Sequence, residues 1–196
     1  MQLVYLPKLR QATRVERQNF EQLPVLFADQ QDEETRQYRQ ELLAAMFHLL
    51  HDLEKQLLPY FTKLTPEEFN WMSWLVSPSL AEALVADNYP LPRKPEPEPG
   101  LLKLDSLPEA LGCAWALLNI SQITLQLLPE GKSGNLGLNT ELLQQFENLA
   151  QIYCTSPADV QAAQQAAKQS LQLMFEKLAP WVQPAANQLL NSRASA

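Results

Sequence analysis

The stretch of sequence that decides the fold reads ALGCAWALLNISQITL, from Ala110 to Leu125. It contains no charged residue and no proline. Helical periodicity of apolar side chains extends around it, from Glu109 to Leu128. A helix this apolar has to be covered by other elements. The stretch therefore predicts an apolar helix inside a larger helical domain.

Helices are predicted on both sides of this stretch. Apolar residues at steps of three and four indicate a helix from Lys8 to about Gln22 and a long amphipathic helix from about Asp32 to Phe61. Thr65-Pro66-Glu67-Glu68 and Ser156-Pro157-Ala158-Asp159 each combine an N-cap, an early proline and an acidic third position, which is typical of a helix start. Further helices are expected through Trp71, Trp74 and Leu75, over Leu80–Val85, and from Thr140 to about Tyr153. No strand pattern stands out, so the predicted fold class is all-α.

Tyr89 to Pro108 is the main non-helical segment, and prolines at 90, 92, 95, 97, 99 and 108 interrupt it. Such spacing favours extended backbone that runs across a surface. A flexible linker between two domains is the alternative. We expect a surface crossover at 89–108 within one domain, because neither flank is able to bury its apolar face alone. That single domain is predicted to span 1–182, with 183–196 as a flexible tail.

Composition excludes several classes of protein. The 196 residues carry a formal net charge of −7, which argues against a general nucleic-acid binder because phosphate binding needs a basic face. No apolar run of about 18 residues is free of charge and proline, so no membrane span is expected. The first residues lack the pattern of a secretory signal. The two cysteines, Cys113 and Cys154, lie in apolar helical contexts and are predicted to be buried thiols of a cytoplasmic protein.

With its helices in this order, the chain resembles the heme oxygenase family, especially the bacterial branch that accompanies phytochromes. The likeness covers roughly residues 6 to 182. Each matching piece is modest alone, and their shared order and spacing carry the resemblance. The matching pieces are LRQATR (Leu9–Arg14), EQLP (Glu21–Pro24), YRQELLAA (Tyr38–Ala45) followed by Leu53-Glu54, LDSLPEALG (Leu104–Gly112), and Phe175 with Trp181. The resemblance implies a heme-oxygenase-like multi-helix bundle.

The chain departs from this family at the positions that serve its chemistry. Where the family places the histidine that ligates heme iron, this chain has Arg17, whose guanidinium has no lone pair to give a metal. Where the family's distal helix carries glycines against the porphyrin, this chain has Asn119, Ile123 and Thr124. Each of these residues adds a Cβ, and Ile123 would project into the space that heme occupies. The resemblance thus implies a degenerate pocket made of Arg14, Arg17, Asn119, Ile123 and Thr124.

The remaining polar candidates have two interpretations each. His48 and His51 are the only histidines, spaced i, i+3, and are weak candidates for metal ligation or for axial ligation of heme. Solvated or helix-capping histidines are the alternative. One of the two arginines, Arg14 or Arg17, binds a carboxylate of a tetrapyrrole or of a protein partner. The alternative is a surface ion pair between Arg17 and Glu21.

The sequence therefore favours a catalytically silent heme-oxygenase-like protein that acts by binding a tetrapyrrole, such as a bilin or porphyrin, or a protein partner. The first alternative is an atypical heme oxygenase that makes biliverdin from heme. A metal-dependent oxidase on the same fold is the third hypothesis. No resident cofactor is expected, although the resemblance allows heme or another tetrapyrrole. Bulky side chains, namely Phe20, Trp115, Leu118, Ile123 and Leu127, are expected to fill the space that heme would leave.

Overall fold

The computed structural model describes residues 5–21, 33–65, 69–90, 101–128 and 140–194, with backbone alone at a few helical positions and from residue 180 onward. Every regular element in these ranges is helical, which confirms the all-α class for the described chain. The helices are α1 (Tyr5–Ala12), α2 (Arg14–Glu21), α3 (Glu33–Phe61), α4 (Ser77–Ala86), α5 (Leu107–Leu127), α6 (Thr140–Tyr153) and α7 (Pro157–Ala194).

The apolar helix α5 lies at the centre and packs most extensively against α7. The two backbones touch at Gly112, where an added Cβ would stand 2.1 Å from the carbonyl oxygen of Ala163. Side chains near this crossing are small and fully buried, including Cys113 and Ala167. Close approach of two helices requires such small residues. The stretch from Ala110 to Leu125 therefore sets the main helix contact of the fold.

The other helices surround this pair. The long helix α3 contacts α4, α5 and α7, whereas α1 and α2 lie against α7, with α2 also reaching α5 and α1 reaching α6. Their buried apolar side chains form one connected core that includes residues of every described helix. None of the helices in the described ranges is long and apolar enough to cross a membrane.

Reciprocal caps fix the starts of two helices. At α7, the backbone N–H of Ser156 donates to Asp159 at 2.9 Å, and the N–H of Asp159 donates to the Ser156 hydroxyl at 3.1 Å. At α5, the Asp105 N–H donates to the Glu109 carboxylate at 2.7 Å and the Ser106 hydroxyl donates to it at 3.1 Å. The Glu109 N–H donates in turn to the Ser106 hydroxyl at 3.4 Å. These capping boxes confirm the start that the sequence predicts for α7.

Two predicted helices differ from the structure. Of the helix expected from Thr65 through Leu75, residues 66–68 lie outside the described chain, and 69–75 form only a 3₁₀ turn at Trp71–Trp74. Phe69 and Trp74 turn inward to pack with Phe61, with ring centroids 5.3 and 5.7 Å from it. The predicted first helix is interrupted at Thr13, whose hydroxyl donates to the Leu9 carbonyl at 2.8 Å. Such back-bonding by threonine locally distorts a helix.

The predicted tail is helical along most of its length. Helix α7 continues past residue 182 to Ala194, through a segment rich in alanine, glutamine and leucine, which are good helix formers or tolerated in helices. Flexibility of 183–196 stays a prediction. In the predicted crossover, 91–100 lies outside the described residues, 101–106 is not helical, and α5 already begins at Leu107.

Candidate functional site

The predicted ligand positions begin on α2, which rests on α7 and α5 through one buried edge. Thr13 is fully buried at its start, and Phe20 is 1% exposed near its end. The Phe20 ring packs edge-to-face against Phe175 of α7, with centroids 5.5 Å apart. This inward edge fixes the rotation of α2 and thereby the direction of its arginines.

Arg14 and Arg17 differ in environment although they lie one turn apart. Arg14 is exposed, whereas Arg17 is half-buried. The Nε atom of Arg17 is buried and has no hydrogen-bond partner within the described part of the chain. The ion pair expected between Arg17 and Glu21 does not form between these two described residues, and Glu21 is exposed.

The carboxylate that is actually engaged on α2 is Glu16, which sequence reasoning assigned to no ion pair. Glu16 is 6% exposed and faces α7. Its Oε1 accepts a hydrogen bond from Gln172 at 3.3 Å and lies 3.6 Å from the Lys168 ammonium. Gln164, one turn before Lys168, donates to the Lys8 carbonyl at 3.2 Å. A polar stripe of α7 thus holds α1 and α2 in place.

The predicted distal positions lie on α5, and their polar groups bond within their own helix. Asn119 is 7% exposed, and its Nδ2 donates to the Trp115 carbonyl at 2.7 Å. Thr124 is fully buried, and its hydroxyl donates to the Ile120 carbonyl at 2.8 Å. The side chain of Ile123 lies outside the described residues. The Asn119 amide and the Thr124 hydroxyl thus already donate to carbonyls of α5, so these hydrogen bonds would have to break before either group donates to a ligand.

The bulky residues expected between the first and distal helices are buried. Side chains that lined a wide open slot would be accessible to solvent, whereas the described members of this set are at most 3% exposed. These are Phe20, Trp115, Leu118 and Leu127. The residues present do not fit a heme whose iron is bound from α2: Arg17 offers a donor where iron requires a lone pair.

The two histidines lie on α3 and face different partners. His48 Nε2 is buried and has no hydrogen-bond partner among the described residues, while His51 Nδ1 lies 3.4 Å from the Ser77 hydroxyl. The ring of Phe47 contacts both imidazoles. Within the described ranges, no three histidine, cysteine, aspartate or glutamate side chains are grouped so as to hold a metal ion.

A second polar centre joins α3 to α4, and sequence reasoning missed it. Glu54 is 5% exposed, and its Oε1 accepts hydrogen bonds from Val76 N–H at 2.6 Å and Ser77 N–H at 3.1 Å. Its Oε2 accepts a hydrogen bond from the Ser77 hydroxyl. Burial raises the pKa of Glu54 above its ordinary value, against the effect of these hydrogen bonds. The sequence signal that could have revealed this centre is a glutamate, Glu54, on the leucine-rich face of α3.

The other end of α4 is also tied to α3. Gln40 Nε2 donates to the Asp87 carboxylate at 2.9 Å, and the guanidinium of the buried Arg39 lies 4.0 Å from the same carboxylate. Asn88, directly after Asp87, adopts a positive φ of 57° as the chain leaves the helix. This conformation is one that asparagine tolerates better than most residues.

The two cysteines are free and buried, as predicted. Burial raises the pKa of Cys113 to about 11, with a smaller opposing effect from a hydrogen bond with Ser170. The Cys113 thiol therefore stays protonated near neutral pH and serves as a small core side chain.

Comparison with protein-family models, curated proteins and solved structures finds no match for this chain.

Proposed function

We propose that this protein is a catalytically silent helical binding protein whose ligand is a tetrapyrrole with carboxylate side chains, such as a bilin or a metal-free porphyrin. The observation that supports this proposal is the buried, unpartnered Nε of Arg17. A buried donor without a partner destabilises a protein by about 1–3 kcal/mol. A ligand carboxylate at Arg17 would remove that cost and form a charge-assisted bond.

Arg14 extends the proposed site toward solvent. It precedes Arg17 by three residues and is exposed, so both guanidiniums lie on one edge of α2. Two carboxylates of one ligand are able to meet the two arginines at once. Because Phe20, Trp115 and Leu118 are buried, with Phe20 packed on Phe175 and Trp115 on Phe146, the ligand is expected to lie near the surface at this edge.

Catalysis on heme is not part of the proposal, for a chemical reason. Oxidation of heme requires iron held by a protein ligand and a distal face that positions oxygen. Arg17 is unable to supply that ligand, and the described polar groups of Asn119 and Thr124 already donate to the backbone of α5.

Titration of the purified protein with protoporphyrin IX and with biliverdin, followed by absorption and by quenching of tryptophan fluorescence, tests the proposal. Arg17→Gln is expected to weaken binding by about tenfold or more, as for loss of a hydrogen bond to a charged group. The matched control is Arg36→Gln. Arg36 is an exposed arginine of α3 that is already paired with Glu33 at 2.8 Å, and its loss is expected to leave binding unchanged.

Three results would contradict the proposal. Equal binding of protoporphyrin IX dimethyl ester would show that carboxylates are not recognised. Unchanged affinity in Arg17→Gln would remove Arg17 from the site. Conversion of hemin to biliverdin, with oxygen and a reductase system, would show an active heme oxygenase in place of a silent binding protein.

A further inference from the structure

The outward surface of α1 and α2 is basic in a chain that is otherwise acidic. Residues 5–21 carry four basic and two acidic side chains, while the whole chain has a net charge of −7. Lys8, Arg10 and Arg14 are exposed, and Arg17 is half-buried.

The inward rotation of Glu16 makes this surface more basic than its sequence suggests. Glu16 faces α7, where Lys168 and Gln172 engage its carboxylate. Among the described residues, Glu21 is then the exposed acid of α2, and it lies about two helical turns beyond Arg14. The exposed stretch from Lys8 to Arg14 therefore presents positive charge alone.

Arg10 and Arg14 lie on the same edge, one helical turn apart. The Thr13 N–H donates to the Leu9 carbonyl and the Arg17 N–H to the Thr13 carbonyl, each at 3.0 Å, so helical register continues across the break at Thr13. The two arginines are thus separated by about 6 Å along the axis. Within the described ranges, neither makes an ion pair or hydrogen bond, in contrast to Arg36 with Glu33 and Lys103 with Asp105.

An exposed apolar side chain accompanies the two arginines. Val15 directly follows Arg14 and is 67% exposed, so it is one of the most exposed large hydrophobic side chains of the described chain. A surface that combines cations at one-turn spacing with an apolar contact is typical of protein recognition. A nucleic acid binds mainly through its phosphates and would leave Val15 uncovered.

We propose that Arg10, Arg14 and Val15 form a docking surface for an acidic helical segment of a partner protein. Carboxylates one turn apart on that segment would pair with Arg10 and Arg14, and an apolar side chain to one side of them would cover Val15, which lies about 100° around the helix from Arg14. This surface goes beyond the proposed ligand site, because it includes Arg10 and does not require Arg17.

Binding of a fluorescein-labelled helical peptide of about 18 residues, with glutamates at i and i+4 and a neighbouring leucine, tests the surface. Fluorescence anisotropy would be measured with the full chain at low and at near-physiological salt. The double variant Arg10→Gln/Arg14→Gln is expected to weaken binding about fivefold or more, and salt is expected to weaken binding to the native chain. Arg36→Gln is the control, with circular dichroism to show that each variant folds.

The outcomes separate this surface from the ligand site. Arg10→Gln is expected to weaken peptide binding while protoporphyrin binding stays unchanged, and Arg17→Gln is expected to affect the porphyrin far more than the peptide. The docking surface is refuted if the glutamate peptide does not bind, or binds the double variant as tightly as the native chain. Tighter binding of a lysine version of the peptide, of duplex DNA or of phosphatidylserine vesicles would also refute it.

Discussion

The contact between α5 and α7 and the contact between α3 and α4 are built in opposite ways. At Gly112 and Ala163, two backbones meet because no side chain separates them. Between α3 and α4, buried polar groups make the attachment: Glu54 binds the first turn of α4, and Gln40 binds Asp87 at its end. The first contact depends on close packing and tolerates no added atom. The second depends on hydrogen bonds between buried polar groups.

The largest expected effect comes from adding one methyl group to the first contact. Gly112→Ala should destabilise the protein by about 3 kcal/mol, because the new Cβ would overlap the Ala163 carbonyl oxygen and force the helices apart. Intrinsic helix propensity alone predicts a gain of about 1 kcal/mol from the same substitution. The sign of the change in the free energy of unfolding, measured by urea denaturation, therefore separates the steric effect from the effect of helix propensity.

Ala163→Gly supplies the control for this prediction. It should not rescue Gly112→Ala, because the atom in conflict belongs to the backbone of Ala163. A stabilised Gly112→Ala variant, or full rescue by Ala163→Gly, would show that the helices do not approach each other this closely.

A smaller loss is expected at the second contact. Glu54→Ala should lower the free energy of unfolding by about 2 kcal/mol, because it leaves the N–H groups of Val76 and Ser77 buried without an acceptor. Glu54→Gln retains an acceptor oxygen and should cost less than half as much. Equal losses in the two variants would indicate that packing, not hydrogen bonding, holds α4.

The smallest effect concerns pH. Because burial raises the pKa of Glu54 in the folded protein, the folded state holds this proton more tightly than the unfolded state. The contribution of Glu54 to stability is therefore greatest below its ordinary pKa and is lost as pH rises through the folded value. The difference in unfolding free energy between the native chain and Glu54→Gln, measured from pH 4 upward, should show this decline. A difference that grows in favour of the native chain with rising pH would contradict it.

The sequence predicted most of the helices because their signals are local. The periodicity of α3 and α5 and the cap of α7 depend on residues within a few turns. The structure places α3, α5 and the start of α7 within a few residues of the expected bounds. The helix expected through Trp71 and Trp74 is only a four-residue 3₁₀ helix in the described chain, because packing of aromatic rings from separate segments overrides local propensity. The heme-oxygenase-like arrangement stays a prediction.

The candidate site was predictable in position and much less so in environment. The sequence placed Arg14 and Arg17 on one helical edge, but it did not distinguish the exposed guanidinium from the one with a buried Nε. It also paired Arg17 with Glu21, whereas the engaged carboxylate of α2 is Glu16. Partners 150 residues away along the chain, such as Lys168, leave no local signal to find them by.

The sequence by itself determined the all-α class, the apolar nature of α5 and the presence of arginine at position 17, since composition and periodicity are properties of the chain alone. Tertiary structure decided which polar groups are satisfied. Whether Glu54 is a cap, Glu16 an inward ion pair or Arg17 an unpaired donor depends on which helix faces each side chain. Which helix faces each side chain follows from how α7 and α4 pack. Hydrogen bonds between residues far apart in the sequence form only once those helices are in contact.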